Sequence, residues 1–234
     1  GENSRKDYRV EIYRNKVFED FPLQGQLWDY PVSLNAAFEK QRDAYKQFKK
    51  RLEDKGLNTE GLTELNCVWG PLRLTDFNTI ESRASDSNKP KNVMALSSLY
   101  KGITEYILAE NPEVIIDEYD THSPSNLFRA ASGKIVIPSY NRLKEFERAG
   151  IEMGLENSEL ISYLTNMIVT GSRGLEDPKY LTPFIQMIQD RRSFADDIVN
   201  EAKRMGIELN HKIDGNGAKQ LRNYIADSYE ASLN

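Results

Sequence analysis

The sequence predicts an α+β fold that is predominantly α-helical, with about eight or nine helices and two or three short strands. Three observations carry that expectation. Apolar residues recur at three- and four-residue intervals through most of the chain. Most of those runs open on Ser, Asn or an Asp-Pro or Thr-Pro pair, and several stop at Gly. Alternating and β-branched runs are few and short.

The elements follow in order. Tyr8, Val10 and Ile12 alternate with Arg9, Glu11 and Tyr13, the period of a half-buried strand. From Phe21-Pro22 to Pro31 the chain is irregular and aromatic, as expected of a strap over a core. Ser33 caps a helix over about 34–55 that stops at Gly56, with Phe38, Tyr45, Phe48 and Leu52 on one stripe and Ala37 and Gln41 beside it. Residues 57–80 read as short elements broken by Gly61 and Gly70-Pro71. The stretch 82–91 holds no large apolar residue and is the linker candidate. A second strong helix runs over about 93–110 through Val93, Leu96, Leu99, Ile103 and Ile107.

Pro112 then opens a helix to about Tyr119, although Val114-Ile115-Ile116 also fits a strand. Ser123-Pro124 begins a short helix to Ser132, and Lys134–Ile137 is the clearest buried strand. Ser139 starts the next helix, which Gly150 ends. Asn157 caps another through Leu160, Leu164 and Ile168, after which Gly171-Ser172-Arg173-Gly174 reads as a loop. Pro178 and Pro183 mark the start of a helical segment to Met205, which Ser193 and Asp196 could restart as a second helix. A last helix spans about 216–232. One domain over 1–234 is expected, with a possible division into two lobes, 8–80 and 92–234, near 82–91.

Composition excludes more than it assigns. Two histidines and one cysteine, His122, His211 and Cys67, are the whole supply of the side chains that most often hold soft metals or act near neutral pH. No Gly-rich phosphate loop compensates, so no cofactor is expected and the chain leans away from catalysis. A lone cysteine forms no internal disulfide, and its neighbours Leu65 and Val68 suggest a buried thiol. The net charge of −5 and sequence pI near 5.3 remove any global attraction to phosphates. No apolar run approaches membrane-spanning length. A soluble, cytoplasmic setting is expected. The chain opens on Gly1 instead of Met, so a targeting or anchor segment removed from upstream is also compatible.

Four constellations invite a function. The first is aromatic: Phe21, Trp28 and Tyr30, with Pro22 and Pro31, are of the type that builds protein interfaces. The second is basic: Lys46, Lys49, Lys50 and Arg51 on the helix 34–55, with Arg191 and Arg192, could follow a phosphate backbone. Interspersed Glu39, Asp43, Glu53 and Asp54 fit ordinary surface pairing equally well. The third is acidic: on a helix, Glu113 and Asp117 would share a face and could bind Mg²⁺ or Mn²⁺, with Lys134 polarising a phosphoester. The fourth, Asp120-Thr121-His122-Ser123, contains the letters of a hydrolase triad, but such near neighbours rarely converge.

The leading expectation is a non-catalytic interaction or assembly protein that binds another protein, or itself, through helix faces and the aromatic N-terminal segment. A nucleic-acid-binding protein using the basic helix is the alternative. A Mg²⁺- or Mn²⁺-dependent phosphoesterase is the distant third. No membrane insertion is expected.

Overall fold

Ser33 stands just outside the first long helix with extended backbone, and its Oγ accepts the Ala36 N–H at 3.1 Å. That is the cap expected from the sequence, and similar devices recur along the chain. The computed structural model describes residues 10, 12, 18–24, 27–68, 71–77, 79–83, 88–208 and 212–233. Among them are nine α-helices and two sheets of two strands each, so the fold is α+β and predominantly helical. The chain divides into two compact units, Asp7–Asp86 and Ser87–Asn234.

The N-terminal unit contains α1 (Phe18–Asp20), α2 (Leu34–Asp54), α3 (Glu64–Cys67), β1 (Leu72–Leu74) and β2 (Ile80–Ser82). Helix α2 buries Ala37, Gln41, Ala44 and Phe48, one continuous stripe at helical spacing. Irregular chain and the end of β1 pack on that stripe and are held by two buried amides. Gln24 Nε2 donates to the carbonyls of Ala44 at 3.2 Å and Cys67 at 2.8 Å. Gln41 grips Leu74 with both ends of its amide, Nε2 to the carbonyl at 3.0 Å and Oε1 from the N–H at 2.8 Å. The antiparallel β1–β2 pair is tied further by Arg73, which bonds Glu81 at 2.7 Å and also reaches the Leu65 carbonyl.

The C-terminal unit contains α4 (Pro90–Glu110), β3 (Glu113–Asp117), β4 (Lys134–Pro138), α5 (Tyr140–Met153), α6 (Ser158–Arg173), α7 (Thr182–Asp190), α8 (Phe194–Arg204) and α9 (Gly215–Ala231). Single 3₁₀ turns lie at Gly154–Glu156 and Pro178–Leu181. Helices α4 and α6 pack backbone to backbone. A Cβ on Gly102 would overlap the Gly171 carbonyl, and one on Gly174 would overlap the Gly102 carbonyl and crowd the Tyr106 nitrogen. Around that contact, Leu99, Ile168 and Leu181 form one buried cluster, flanked by Ile103, Leu175, Phe184 and Ile188. A second cluster joins Leu127, Phe146 and Tyr163, with Phe146 stacked on Tyr163 at a centroid separation of 4.9 Å.

Several expectations change. Of the strand expected over 8–13, the two residues described, Val10 and Ile12, are helical. Residues 113–117 form a strand and not a helix, because they find a parallel partner in β4. No helix follows Ser123-Pro124: residues 123–133 run as turns, with Phe128 and Ser132 at positive φ. Gly171 lies inside α6 and not in a loop, and its carbonyl stands where a Cβ on Gly102 of α4 would lie. The linker candidate 82–91 shortens at its far end, since α4 starts at Pro90; residues 84–87 lie outside those described. Ser193 and Asp196 do start a separate helix with a reciprocal capping box.

The glycine contact yields a test. Gly174→Ala should lower stability by about 3 kcal/mol, because the obstructing atoms are backbone and cannot rotate away. In a thermal melt that is a drop of roughly 6–12 °C. Gly215→Ala, at the start of α9 with open space around it, should leave the melt almost unchanged.

Candidate interaction edge

Strands β3 and β4 run parallel in register, Glu113 opposite Lys134 and Asp117 opposite Pro138. The Glu113 N–H donates to the Gly133 carbonyl at 2.8 Å. Alternate residues of a strand point their backbone groups to opposite sides. Glu113, Ile115 and Asp117 therefore bond toward β4, while Val114 and Ile116 direct their N–H and C=O groups the other way. The Ile116 carbonyl is taken by the Glu118 N–H at 3.0 Å. No strand pairs with that side of β3 among the described residues. Val114 and Ile116 are 51% and 39% exposed, and Tyr119 just beyond is 85% exposed.

The far side of β4 is occupied. Ala131 exchanges both backbone bonds with Lys134, at 3.0 and 2.9 Å, and the Phe128 N–H donates to the Val136 carbonyl at 2.6 Å. The segment that does this is pinned from behind by one face of α6. Asn166 donates to the carbonyls of Ser125 at 2.8 Å and Leu127 at 2.9 Å. Thr170 donates to Phe128 at 2.9 Å and Arg173 to Ala130 at 2.8 Å. Positions 166, 170 and 173 share a helix face, which is why one helix can hold four carbonyls of an irregular strap. Ile135, 1% exposed, is sealed on β4, and β3 is left as the open margin.

Asp117 closes the carboxyl end of β3 and is buried. Its Oδ1 accepts from the Thr121 N–H at 3.0 Å and the Thr121 hydroxyl at 2.8 Å, and Oδ2 accepts from the His122 N–H at 2.8 Å. His122 Nδ1 lies 3.3 Å from Oδ1. Burial opposes ionisation of this carboxyl, but the hydrogen bonds from His122 and Thr121 together outweigh it and hold its pKa down to about 2. Ser123 bonds Ser125 instead of the imidazole. Asp120 is absent from the group, so the letters of the triad do not form one. The arrangement is a loop staple.

The residues singled out from the sequence fall in scattered places. The Phe21 ring lies tilted against Phe48, centroids 5.0 Å apart, on the buried stripe of α2. Trp28 and Tyr30 are half-buried in the same strap, and burial together with the Asp29 charge pushes the Tyr30 hydroxyl up to about 12. On α2, Lys46 lies 3.6 Å from Asp43 and Lys49 lies 3.9 Å from Glu53, so the basic face is laced with acids. Lys50 and Arg51 are exposed on the same helix. Arg191 and Arg192 do not share a helix: Arg191 is the left-handed cap of α7, and Arg192 follows it. Arg192 Nε pairs with Asp197 at 2.6 Å, and Lys89 pairs with the same carboxylate at 3.4 Å.

Glu113 and Asp117 stand at opposite ends of a strand, about 13 Å apart by strand rise, and Glu113 pairs with Lys134 at 3.1 Å. The separation is too large for one ion to bridge both carboxylates. Among the described residues no group of three or more His, Cys, Asp or Glu is placed to hold a metal. Cys67 is buried, which raises its thiol pKa, while His211 lies outside the described residues. Among the described residues no helix is long and apolar enough to cross a membrane. The exposed Val114 and Ile116 were missed from the sequence; the signal for them is a β-branched run bounded by acids and followed by a second such run at 135–137.

The Asp117 staple gives a pH signature. Its folded pKa lies below the ordinary 3.8, so its stabilisation is complete above about pH 5 and is lost as pH falls toward 2. Asp117→Asn should therefore be about 2 kcal/mol less stable than the parent at pH 7 by urea denaturation, with the gap narrowing below about pH 5. A gap independent of pH would contradict the assignment. No family model, no curated protein and no solved structure matches this chain.

Proposed function

We propose that this chain is a non-catalytic protein-interaction module that receives an extended segment of another protein along the open edge of β3. The observation that carries the reading is the margin at Val114 and Ile116, unpaired among the described residues, in a parallel pair whose other margin is covered. Parallel strands are ordinarily buried among several neighbours, and a two-stranded sheet is marginal by itself. An added strand would supply the missing backbone bonds to the Val114 N–H and C=O and the Ile116 N–H. It would also cover the exposed Val114 and Ile116 side chains.

The aromatic strap and the basic helix are less suited to the task. Phe21 packs inward, and Lys46 and Lys49 of α2 already have carboxylate neighbours. The interaction class expected from the sequence is retained, and the surface moves to the sheet.

Proline at 114 isolates the edge. The Val114 N–H points away from β4, so Val114→Pro removes an outward donor and leaves the β3–β4 ladder intact. A phage-displayed library of random peptides of about 12 residues, selected on the parent protein, should lose roughly tenfold or more of its recovery on Val114→Pro. Amide exchange at Val114 and Ile116 should slow when a selected peptide is bound. Equal recovery on the two proteins, with unchanged exchange, would refute the reading.

A further inference from the structure

Resting on the open-edge reading, we infer that the segment received at β3 is a basic strand from a different protein: β-branched or aromatic residues at alternate positions, flanked by Lys or Arg. Charge carries this step. Between Lys101 and Arg129 the chain has no Lys or Arg, while Glu105, Glu110, Glu113, Asp117, Glu118 and Asp120 all fall there. Glu110, Glu113, Glu118 and Asp120 are exposed and surround the two ends of β3. Of these four, Glu113 has a cation within 4 Å, Lys134 at 3.1 Å. A strand entering this edge therefore meets carboxylates at both ends and apolar side chains in the middle. Opposite charges on neighbouring strands stabilise the pair, and like charges directly opposite destabilise it.

The same rule disfavours a second copy of the chain. Antiparallel self-pairing that overlaps all of Glu113–Asp117 is centred on Ile115 and sets Glu113 opposite Asp117 twice. Shifting the register to escape those contacts shortens an already short overlap. A heterologous strand with basic ends satisfies the backbone edge and the charge together.

The sequences recovered from the library selection decide the matter. Peptides whose recovery depends on Val114 should be enriched in Lys and Arg at their ends and in Val, Ile, Thr, Tyr or Phe at alternate central positions. A synthetic copy of the most enriched peptide should lose roughly tenfold in affinity between about 50 mM and about 300 mM NaCl, as screening of exposed charges requires. It should weaken similarly against a Glu110→Gln/Glu118→Gln/Asp120→Asn variant, whose backbone edge is unchanged. Neutral or acidic peptides that still depend on Val114 would overturn the charge inference and leave the edge reading intact. Peptides that ignore Val114→Pro, or no enrichment at all, would overturn both. Dimerisation of the parent protein that Val114→Pro abolishes would assign the edge to a second copy instead.

Discussion

The close approach of α4 and α6 is the constraint on which the C-terminal unit depends. Gly102, Gly171 and Gly174 bring two helix backbones into direct contact. At that distance the flanking side chains, Leu99, Ile103, Ile168 and Leu175, close over the junction and meet Leu181. Everything attached to these helices takes its place from the junction. β3 follows α4 after Asn111 and Pro112, so α4 sets where the strand begins. α6 supplies the side chains that hold the strap beside β4. A junction with ordinary side chains would set the helix axes about 8–10 Å apart, a spacing at which the Gly102, Gly171 and Gly174 backbones would no longer touch.

Polar side chains do much of the work usually given to apolar ones. The mean hydropathy of −0.63 is low for a chain with two packed cores. In both units, irregular segments are held by side-chain donors on helices or on the irregular chain itself. Gln24 does this in the first, where Gln41 likewise holds the end of β1, and Asn166, Thr170 and Arg173 do it in the second. Each such bond contributes on the order of 1 kcal/mol net, and leaving a buried partner unmet costs more. The buried amides therefore specify where irregular chain lies more than they add to total stability. Asp117 belongs to the same class, a charged acceptor that organises the turn after β3.

What was legible in the sequence was whatever local chemistry decides. The caps at Ser33, Ser139, Asn157 and Ser193 announce helices by their own hydrogen bonds, and the buried face of α2 follows from spacing. On α4 the expected stripe is displaced: Val93 and Ile107 are exposed, and Asn92, Ala95, Leu99 and Gly102 are the buried positions. What stayed hidden depends on partners far away in the chain. Residues 113–117 have apolar spacing compatible with either helix or strand, and only the pairing with 134–138 chooses between them. The turns over 123–133 replace the expected helix because their carbonyls are taken by α6. Gly171 and Gly174 look like loop residues until Gly102 is known to face them. The site followed suit. The acids near β3 were visible, but the exposed edge they surround emerges only once the strand is paired on one side.

The order of these segments along the chain has a consequence for how the unit comes together. The parallel pair is joined by residues 118–133 with no crossover helix, and its covering strap is fixed by groups 39 to 43 residues further on. During synthesis β3 and β4 emerge before the helix that stabilises their connection. Until α6 has been made, the strap beside β4 lacks the side-chain donors that Asn166, Thr170 and Arg173 supply to its carbonyls.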